Sequence, residues 1–355
     1  MIPNLRVTLI GFGLGGRAFH APLIAATPGL QLSTIVTSNP ERRAQAAAAF
    51  PSAQIVDSAE QVWSNPKAHD LVVITTPNRF HVPLARAAIA AGIPVVLDKP
   101  MAATAQEARD LVAEAARAGV PLAPYHNRRW DGEVLTAQKL IQSGALGEIF
   151  RFESRLDRWR PGKPPSVWRE GGAPEDAGGI LFDLGPHLID QARLLFGPVT
   201  HLYAELDRRR PGVLVEDDIF IALTHVNGVH SHLWASSVAA QAGPRMRVMG
   251  SVAAYTKQDA DVQEAVLRAS GTADSPGFGE DPEERWGLFG AGADVRVIRT
   301  EKGNYRRFYE LVVPWLREGV AAPVDAGDAV AVLEIIEGAR ESASRGKVVE
   351  FVKPI

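Results

Sequence analysis

The sequence predicts an α/β chain of two domains: a parallel-sheet domain, then an α/β domain with a large, mostly antiparallel sheet. Three observations carry this. Arg6 to His20, RVTLIGFGLGGRAFH, passes from a strand-like apolar run through glycines into helical spacing. Nearly all-apolar runs at Asp70–Thr75 and Val95–Leu97 alternate with helical segments, as buried parallel strands do. From Gly147 onward the period changes to two, the mark of half-buried strands.

In the first stretch, Val7 to Ile10 is strand-like, Ala18 to Ala26 can be helical, and a second strand, Leu30 to Val36, follows at βαβ distance. Between them Gly11, Gly13 and Gly16 stand in G-x-G-x-x-G spacing around Phe12. Each glycine answers a need: a tight turn, close backbone approach to a pyrophosphate, and close packing of helix on strand. The helix start would aim free N–H groups at the phosphates. With strand before and helix after, the turn reads as the dinucleotide site of a Rossmann domain, assigned to residues 1–124, rather than a structural glycine loop.

The segment after the second strand, Thr37-Ser38-Asn39-Pro40-Glu41-Arg42-Arg43, would face the adenosine ribose. An NAD site usually offers Asp or Glu there for the ribose 2′-hydroxyl; this one offers Ser38, with Arg42 and Arg43 close behind. These groups suit a 2′-phosphate, so NADP is expected, with NAD as the alternative. The competing reading leaves both arginines solvated on the first turn of an Ala-rich helix.

Residues 41–49 read as that helix and Gln54–Val56 as a short strand. The strand Asp70–Thr75 ends in Thr76-Pro77-Asn78, a helix over Phe80–Ala91 closes at Gly92, and Val95–Leu97 gives the next buried strand. Ligands of open α/β sheets sit beyond the carboxyl ends of the strands, so Thr76, Asn78, His81, Asp98 and Lys99 converge on one edge. Lys99, between a buried strand and Pro100, reads either as a functional ammonium or as an exposed lysine. A helix over 104–118, a stop at Gly119 and a strand over 121–124 complete the domain.

The second domain, 125–355, opens with a polar and aromatic cluster, Tyr125 to Asp131, at the expected crossing between domains, then a helix from Asp131 to Gln142. Phe150, Phe152 and Leu156 alternate with Arg151, Glu153, Arg155, Asp157 and Trp159. Similar alternation marks Val199–Leu206, Asp218–Val226 and Val229–Val238, with Asn227-Gly228 as a type I′ hairpin turn. Among these strands stands Gly178 to Asp190; if helical, Asp183 and His187 share a face, while Pro186 and the glycines demand an irregular first turn. A structural hydrogen bond or a helix cap explains that pair as readily as chemistry does. No metal site is expected: His230 and His232 have no carboxylate near them in sequence. Gly271 to Gly292 reads as a long surface loop, followed by helices over 304–318 and 326–344 and a strand over Val348–Val352.

Composition excludes several classes. A chain of 355 residues suits two domains, each with a core. A net charge of -3 with 22% charged residues leaves no basic field for nucleic acid or anionic lipid. The absence of cysteine excludes disulfides, thiolate metal sites and a thiol nucleophile. No apolar run reaches membrane-spanning length and the chain enters its first strand directly, so a cytoplasmic protein with a small-molecule ligand is expected.

Taken together, five patterns resemble the glucose-fructose oxidoreductase and inositol dehydrogenase (Gfo/Idh/MocA) family over essentially the whole chain. They are the glycine turn running into Phe19-His20-Ala21-Pro22-Leu23, Thr76-Pro77-Asn78-x-x-His81, Lys99-Pro100, Asn127-Arg128-Arg129-Trp130-Asp131, and Gly179-x-x-x-Asp183-x-Gly185-x-His187. The family usually has Glu before the lysine; here it is Asp98. The resemblance implies a Rossmann domain followed by an α/β domain whose open sheet commonly makes a subunit interface, hence a homodimer or homotetramer. It also implies NAD(P)-dependent oxidation or reduction of a sugar, cyclitol or similar polyol, and the closest look is to NADP-linked scyllo-inositol dehydrogenases. Carried over, Lys99, Asp183 and His187 are catalytic, and Thr76, Pro77, Asn78, His81 and Lys99 join Gly11, Phe12, Gly13, Gly16, Ser38, Arg42 and Arg43 around the cofactor. His187, a side chain that titrates near neutrality, would move the hydroxyl proton; Lys99 would stabilise the charge developing on oxygen, or serve as proton donor instead; Asp183 would hold the lysine or a hydroxyl. Asn127, Arg128, Asp157 and Trp159 are expected to wall the substrate pocket. Two other functions share the pattern: a non-catalytic NAD(P)-binding sensor, and an NAD-dependent glycosidase.

Overall fold

The structure, a computed structural model, describes residues 3–162, 170–269 and 272–355. The chain forms two compact units. The first comprises Met1–Asn127, Gln263–Phe278 and Asn304–Val330; the second comprises Arg128–Val262, Gly279–Gly303 and Ala331–Ile355. The first break lies close to the expected one, but the later excursions of the chain into the first unit leave no local pattern in the sequence.

The first unit is built on six strands: β1 (Leu5–Ile10), β2 (Leu30–Val36), β3 (Gln54–Val56), β4 (Leu71–Ile74), β5 (Val95–Leu97) and β6 (Leu122–Pro124). All neighbours pair in parallel, in the order β3-β2-β1-β4-β5-β6. This is the doubly wound dinucleotide topology, and its switch point falls beside β1, where the glycine turn leaves the sheet. The central strands read as unbroken apolar runs because helices cover both faces: Leu71, Val72, Val73 and Ile74 are all fully buried. Side chains cap two of the helices. Asn39 Oδ1 accepts from Arg42 N at 2.9 Å, and Thr104 Oγ1 accepts from Glu107 N at 3.1 Å.

The second unit carries nine strands: β7 (Ile149–Asp157), β8 (Val199–Asp207), β9 (Asp218–His225), β10 (His230–Ser236), β11 (Met246–Gly250), β12 (Ala254–Lys257), β13 (Gly287–Gly290), β14 (Arg296–Ile298) and β15 (Val349–Glu350). Their order is β14-β13-β12-β11-β7-β10-β9-β8-β15, antiparallel throughout except for the parallel pair β7 and β10. Alternation sorts the residues between two faces. Phe152, Ser154 and Leu156 are buried, and Phe152 packs against Phe196 of the helix Gly185–Phe196 with ring centroids 5.2 Å apart. On the opposite face Phe220 and Trp234 meet at 5.1 Å, and the Arg155 guanidinium lies 3.7 Å over Trp234.

Two local expectations are corrected. The hairpin between β9 and β10 is not type I′, because Gly228 takes φ +85° while Asn227 stays out of the left-handed region. Gly228 N donates to His225 O at 3.0 Å and His225 N to Val229 O at 2.9 Å, so the loop has three residues, with its glycine in the bulge position. The stretch read as one loop over Gly271–Gly292 contains β13, whose pairing with β12 and β14 is long-range and invisible to local patterning; Gly271 itself lies outside the described residues.

Candidate active site

In the first unit the glycine turn follows β1. Gly11 takes φ +100°, where an L side chain is strained. A Cβ on Gly16 would lie 2.1 Å from Gly11 O and 2.9 Å from Thr75 Oγ1, so these two positions admit no side chain. Gly13 differs, since the nearest atom to a Cβ there is Arg42 Nη1 at 3.9 Å. The turn continues as a π-helical segment, Gly15–His20, before the α-helix Ala21–Ala25. Phe12 contributes only its backbone, because its side chain is buried edge-on to Phe50.

Around this turn the residues fit NAD(P). Thr76 Oγ1 is buried without a hydrogen-bond partner at the end of β4, and Gly13 leaves open space under a guanidinium. Ser38 is exposed, and the Asn39 side chain is occupied as a helix cap. The two arginines diverge. Arg42 reaches back over Gly13, whereas Arg43 pairs with Asp57 and points toward Thr37 O at 3.5 Å.

Lys99 leaves the edge of β5 on a backbone held from several sides. Asp98 N donates to Ile74 O at 3.0 Å, Lys99 N donates to Asp98 Oδ1 at 2.8 Å, and Tyr125 N donates to Leu97 O at 2.8 Å. His81, expected at the cofactor, is buried with its ring nitrogens 2.8 Å from Pro100 O and 2.9 Å from Thr76 O. It braces the two loops that carry Asn78 and Lys99; burial pushes its pKa down. His20, fully buried, lies 2.6 Å from the Tyr309 hydroxyl through Nδ1 and 3.7 Å from Asp98 Oδ2 through Nε2, an ion-pair distance too long for a hydrogen bond. Burial would raise the Asp98 carboxyl, but neighbouring His20, Lys99 and His81 outweigh it and hold Asp98 below its ordinary range.

In the second unit Asp183 ends a single turn, Ile180–Asp183, and His187 lies near the start of the helix Gly185–Phe196. The one continuous helix that would put them on a common face by spacing is interrupted at Leu184, because Pro186 lacks the N–H that would continue the ladder. Gly179 opens the turn at φ +95°, and a Cβ there would lie 2.4 Å from Glu216 Oε1. Ile180 N donates to Glu216 O at 2.9 Å, which ties the turn to the start of β9.

A small, partly open cavity lies here, with Asp183, Gly179 and Glu216 on its wall. Asp157 and Trp159 do not line it; Arg158 and Arg160 do. The strand parity already written in the sequence separates them: Asp157 and Trp159 continue the face of Glu153 and Arg155, whereas Arg158 and Arg160 continue that of Phe152 and Leu156. Trp159 is 59% exposed, and Asp157 Oδ2 accepts from Gly243 N at 3.3 Å. Arg158 N donates to Ser236 O and Arg160 N to Ser237 O, both at 2.8 Å, and Arg158 Nη1 comes within 3.9 Å of Asp183 Oδ2.

Asn127 and Arg128, the other expected wall residues, are both buried, one at the end of the first unit and one at the start of the second. Arg128 Nη1 faces Asp131 Oδ2 at 3.5 Å, and Arg129 clamps Asp190 with contacts of 2.6 and 2.9 Å. Sequence reasoning missed the arginines of the cavity and Glu216, whose position depends on strand pairing. It also missed His20 as a buried support beneath Asp98.

Residues 5–126 match the oxidoreductase family with NAD-binding Rossmann fold, and residues 134–256 match the GFO/IDH/MocA C-terminal domain. The chain belongs to the GFO/IDH/MocA family. It is therefore an NAD(P)-dependent oxidoreductase, and the glycine turn described above lies within its Rossmann domain. Among GFO/IDH/MocA relatives it is 39% identical over 354 residues to the uncharacterized oxidoreductase YdgJ of Escherichia coli K12, covering 97% of each chain. It is 34% identical over 352 residues to scyllo-inositol 2-dehydrogenase (NADP(+)) IolW of Bacillus subtilis 168, covering 98% of this chain and 96% of that one. The solved structure of yvaA from Bacillus subtilis superposes with a TM-score of 0.92 at 34% identity, covering 99% of both chains. Among the described residues no helix is long and apolar enough to cross a membrane.

Proposed function

We propose that this chain transfers hydride between NADP and a secondary alcohol or ketone of a cyclitol or sugar, with an inositol-type ring as the first class to test. The observation that carries the reading is the complete set Lys99, Asp183 and His187 in a chain 34% identical, nearly end to end, to an NADP-linked scyllo-inositol dehydrogenase. The preference for NADP rests on Arg42 over Gly13 and on the lack of a carboxylate at Ser38.

When bound, the nicotinamide accepts or gives the hydride. Gly11, Gly13 and Gly16 shape the turn for the pyrophosphate, Thr76 Oγ1 supplies an unused hydrogen-bonding group, and Ser38 with Arg42 takes the 2′-phosphate. His187 takes the hydroxyl proton on oxidation and returns it on reduction. The Lys99 ammonium holds the reacting oxygen and stabilises its developing negative charge, with Asp183 fixing the lysine or a substrate hydroxyl.

The bare sheet face bearing Phe220, His232 and Trp234 is assigned to a second copy of the chain, which makes the working form a homodimer or homotetramer. The cytoplasm is its assigned place. Nicotinamide absorbance, followed with NADP and NAD separately across inositols, aldoses and polyols, tests the reaction. NADP-dependent turnover that disappears in Lys99→Ala is the expected result; equal turnover in Lys99→Ala, or none with any substrate while NADP binds, overturns it.

A further inference from the structure

We propose that His20 and Tyr309 are positioning residues: the Tyr309 hydroxyl fixes the tautomer of His20, the Nε2–H of His20 orients the Asp98 carboxylate, and Asp98 holds the backbone of Lys99. This rests on the reading of Lys99 as the residue that binds the reacting oxygen, and adds the buried chain that aims it. All four residues belong to the first unit.

His20 ends the π-helical segment Gly15–His20, a wider turn than an α-helix makes. Two tyrosines hold it there. Tyr125 Oη donates to Phe19 O at 2.8 Å, and the Tyr125 and His20 rings lie 4.1 Å apart. Tyr309 comes from the helix Arg306–Glu318, and its hydroxyl lies 2.6 Å from His20 Nδ1. His20, Tyr125 and Tyr309 are all buried, so none of the three turns to water.

Donor counting places the protons. Among the described residues the His20 ring is the one hydrogen-bond partner of the Tyr309 hydroxyl. Burial pushes the Tyr309 pKa well above its ordinary value, so the phenol keeps its proton. If the hydroxyl accepted from Nδ1, that proton would be buried without an acceptor, a cost that donation to Nδ1 avoids. Nδ1 therefore accepts, and the imidazole carries its proton on Nε2. Nε2 is itself buried with no hydrogen bond, and it faces Asp98 Oδ2 at 3.7 Å. At that distance the N–H acts as an aimed dipole, and burial keeps its field on the carboxylate strong.

Asp98 joins this chain to the Lys99 loop. Its Oδ1 accepts from Lys99 N at 2.8 Å, while Oδ2 faces His20 and stands 3.2 Å from the place of a Cβ on Gly15. Gly15 lies outside the G-x-G-x-x-G spacing, and this carboxylate gives it a reason to lack a side chain. The titratable groups facing Asp98 are His20, His81, Lys99, Tyr125 and Tyr309. Of these, His20 alone comes within ion-pair distance of Oδ2 among the described residues. Without the Nε2–H the carboxyl group gains freedom to rotate, and Lys99 N loses a fixed acceptor. Displacements near 1 Å at a reacting centre cost up to about a hundredfold in rate.

The test compares the NADP-loaded full chain as wild type, Tyr309→Phe, His20→Leu and His20→Gln. Tyr309→Phe removes one oxygen and keeps the ring, so it carries the test if unfolding midpoints show that His20→Leu is misfolded. His20→Gln returns an amide N–H toward Oδ2. Nitrogen NMR shifts of the histidine rings, assigned to His20 by their loss in His20→Gln, read the tautomer. Hydrogen exchange reads the Lys99 amide, and neither measurement depends on turnover. The expected result is a proton on Nε2 in wild type and a mixture of tautomers in Tyr309→Phe. Lys99 amide exchange should be about tenfold faster in Tyr309→Phe and His20→Leu, and return to within about threefold of wild type in His20→Gln. With a turned-over inositol or sugar, kcat should fall about tenfold or more in His20→Leu and recover in His20→Gln, with KM and NADP affinity within about threefold of wild type. A wild-type proton on Nδ1 overturns the proposal, as does Lys99 exchange within about twofold of wild type in both Tyr309→Phe and His20→Leu. So does an unchanged kcat in His20→Leu when Lys99→Ala is inactive. Faster Lys99 exchange beside full activity in Lys99→Ala refutes the role given to Lys99 in the reaction and leaves the chain from Tyr309 to Lys99 standing as a brace.

Discussion

Gly13→Ala separates a glycine kept for a ligand from one kept for the fold. A methyl group at position 13 enters open space, 3.9 Å from the flexible end of Arg42, at a backbone conformation open to L residues. Stability should therefore be unchanged or rise by about 0.5 kcal/mol, as alanine costs the unfolded chain some of its freedom. If a pyrophosphate lies against that backbone, the same methyl stands in its place, and NADP affinity should fall by about tenfold to hundredfold, since displacements near 1 Å carry penalties of that order. Gly16→Ala is the control. Its Cβ would sit 2.1 Å from a backbone oxygen, so the turn itself must open, costing roughly 1 to 3 kcal/mol of stability in addition to binding. Urea unfolding and NADPH fluorescence titration on the same samples read both quantities. A Gly13→Ala protein that binds NADPH like wild type would show that the cofactor does not approach this turn, and the placement would fail.

Three further outcomes follow from particular contacts. Arg42→Ala should weaken NADP by about tenfold and leave NAD unchanged, whereas Arg43→Ala, which loses a partner in Asp57, should lower stability more than it changes cofactor choice; equal losses for NADP and NAD in Arg42→Ala refute the 2′-phosphate role. Glu133 is raised to about 8, first by burial and then by the neighbouring Asp131 charge, with Arg245 Nε 3.1 Å from its carboxyl but also 3.7 Å from Asp131 through Nη2. Its folded form keeps a proton that the unfolded chain releases above 4.5, so wild type should lose roughly 1 kcal/mol per pH unit relative to Glu133→Gln between pH 4.5 and 8, checked by urea unfolding across that window; parallel curves would refute it. Trp234→Asp places a charge beside Phe220 on the bare sheet face and should give a monomer by light scattering, with an unchanged oligomer refuting that face as the interface.

Much of the chain was legible before any coordinates, for a definite reason. Parallel strands buried on both faces must be apolar throughout, and a nucleotide turn must lack side chains where backbone meets backbone, so β1 to β6 and the glycines declare themselves locally. The same holds for strand parity. The sequence of β7 already assigned Arg158 to the face of Leu156 and Asp157 to the opposite one. Asp157 and Trp159, expected as pocket wall, lie on the strand face opposite the cavity that Arg158 and Arg160 line. What sequence could not supply depends on partners distant along the chain. Gly179 is a glycine because Glu216, from the edge of another strand, occupies the space of its Cβ; His81 is a brace because Pro100 and Thr76 present carbonyls to it; β13 is a strand because β12 and β14 flank it. Local composition determined the elements, the nucleotide turn and the face each strand residue takes. Which polar groups converge, which are consumed as ion pairs and which stay open to a substrate was decided only by tertiary packing, because those relations join residues that no short window contains.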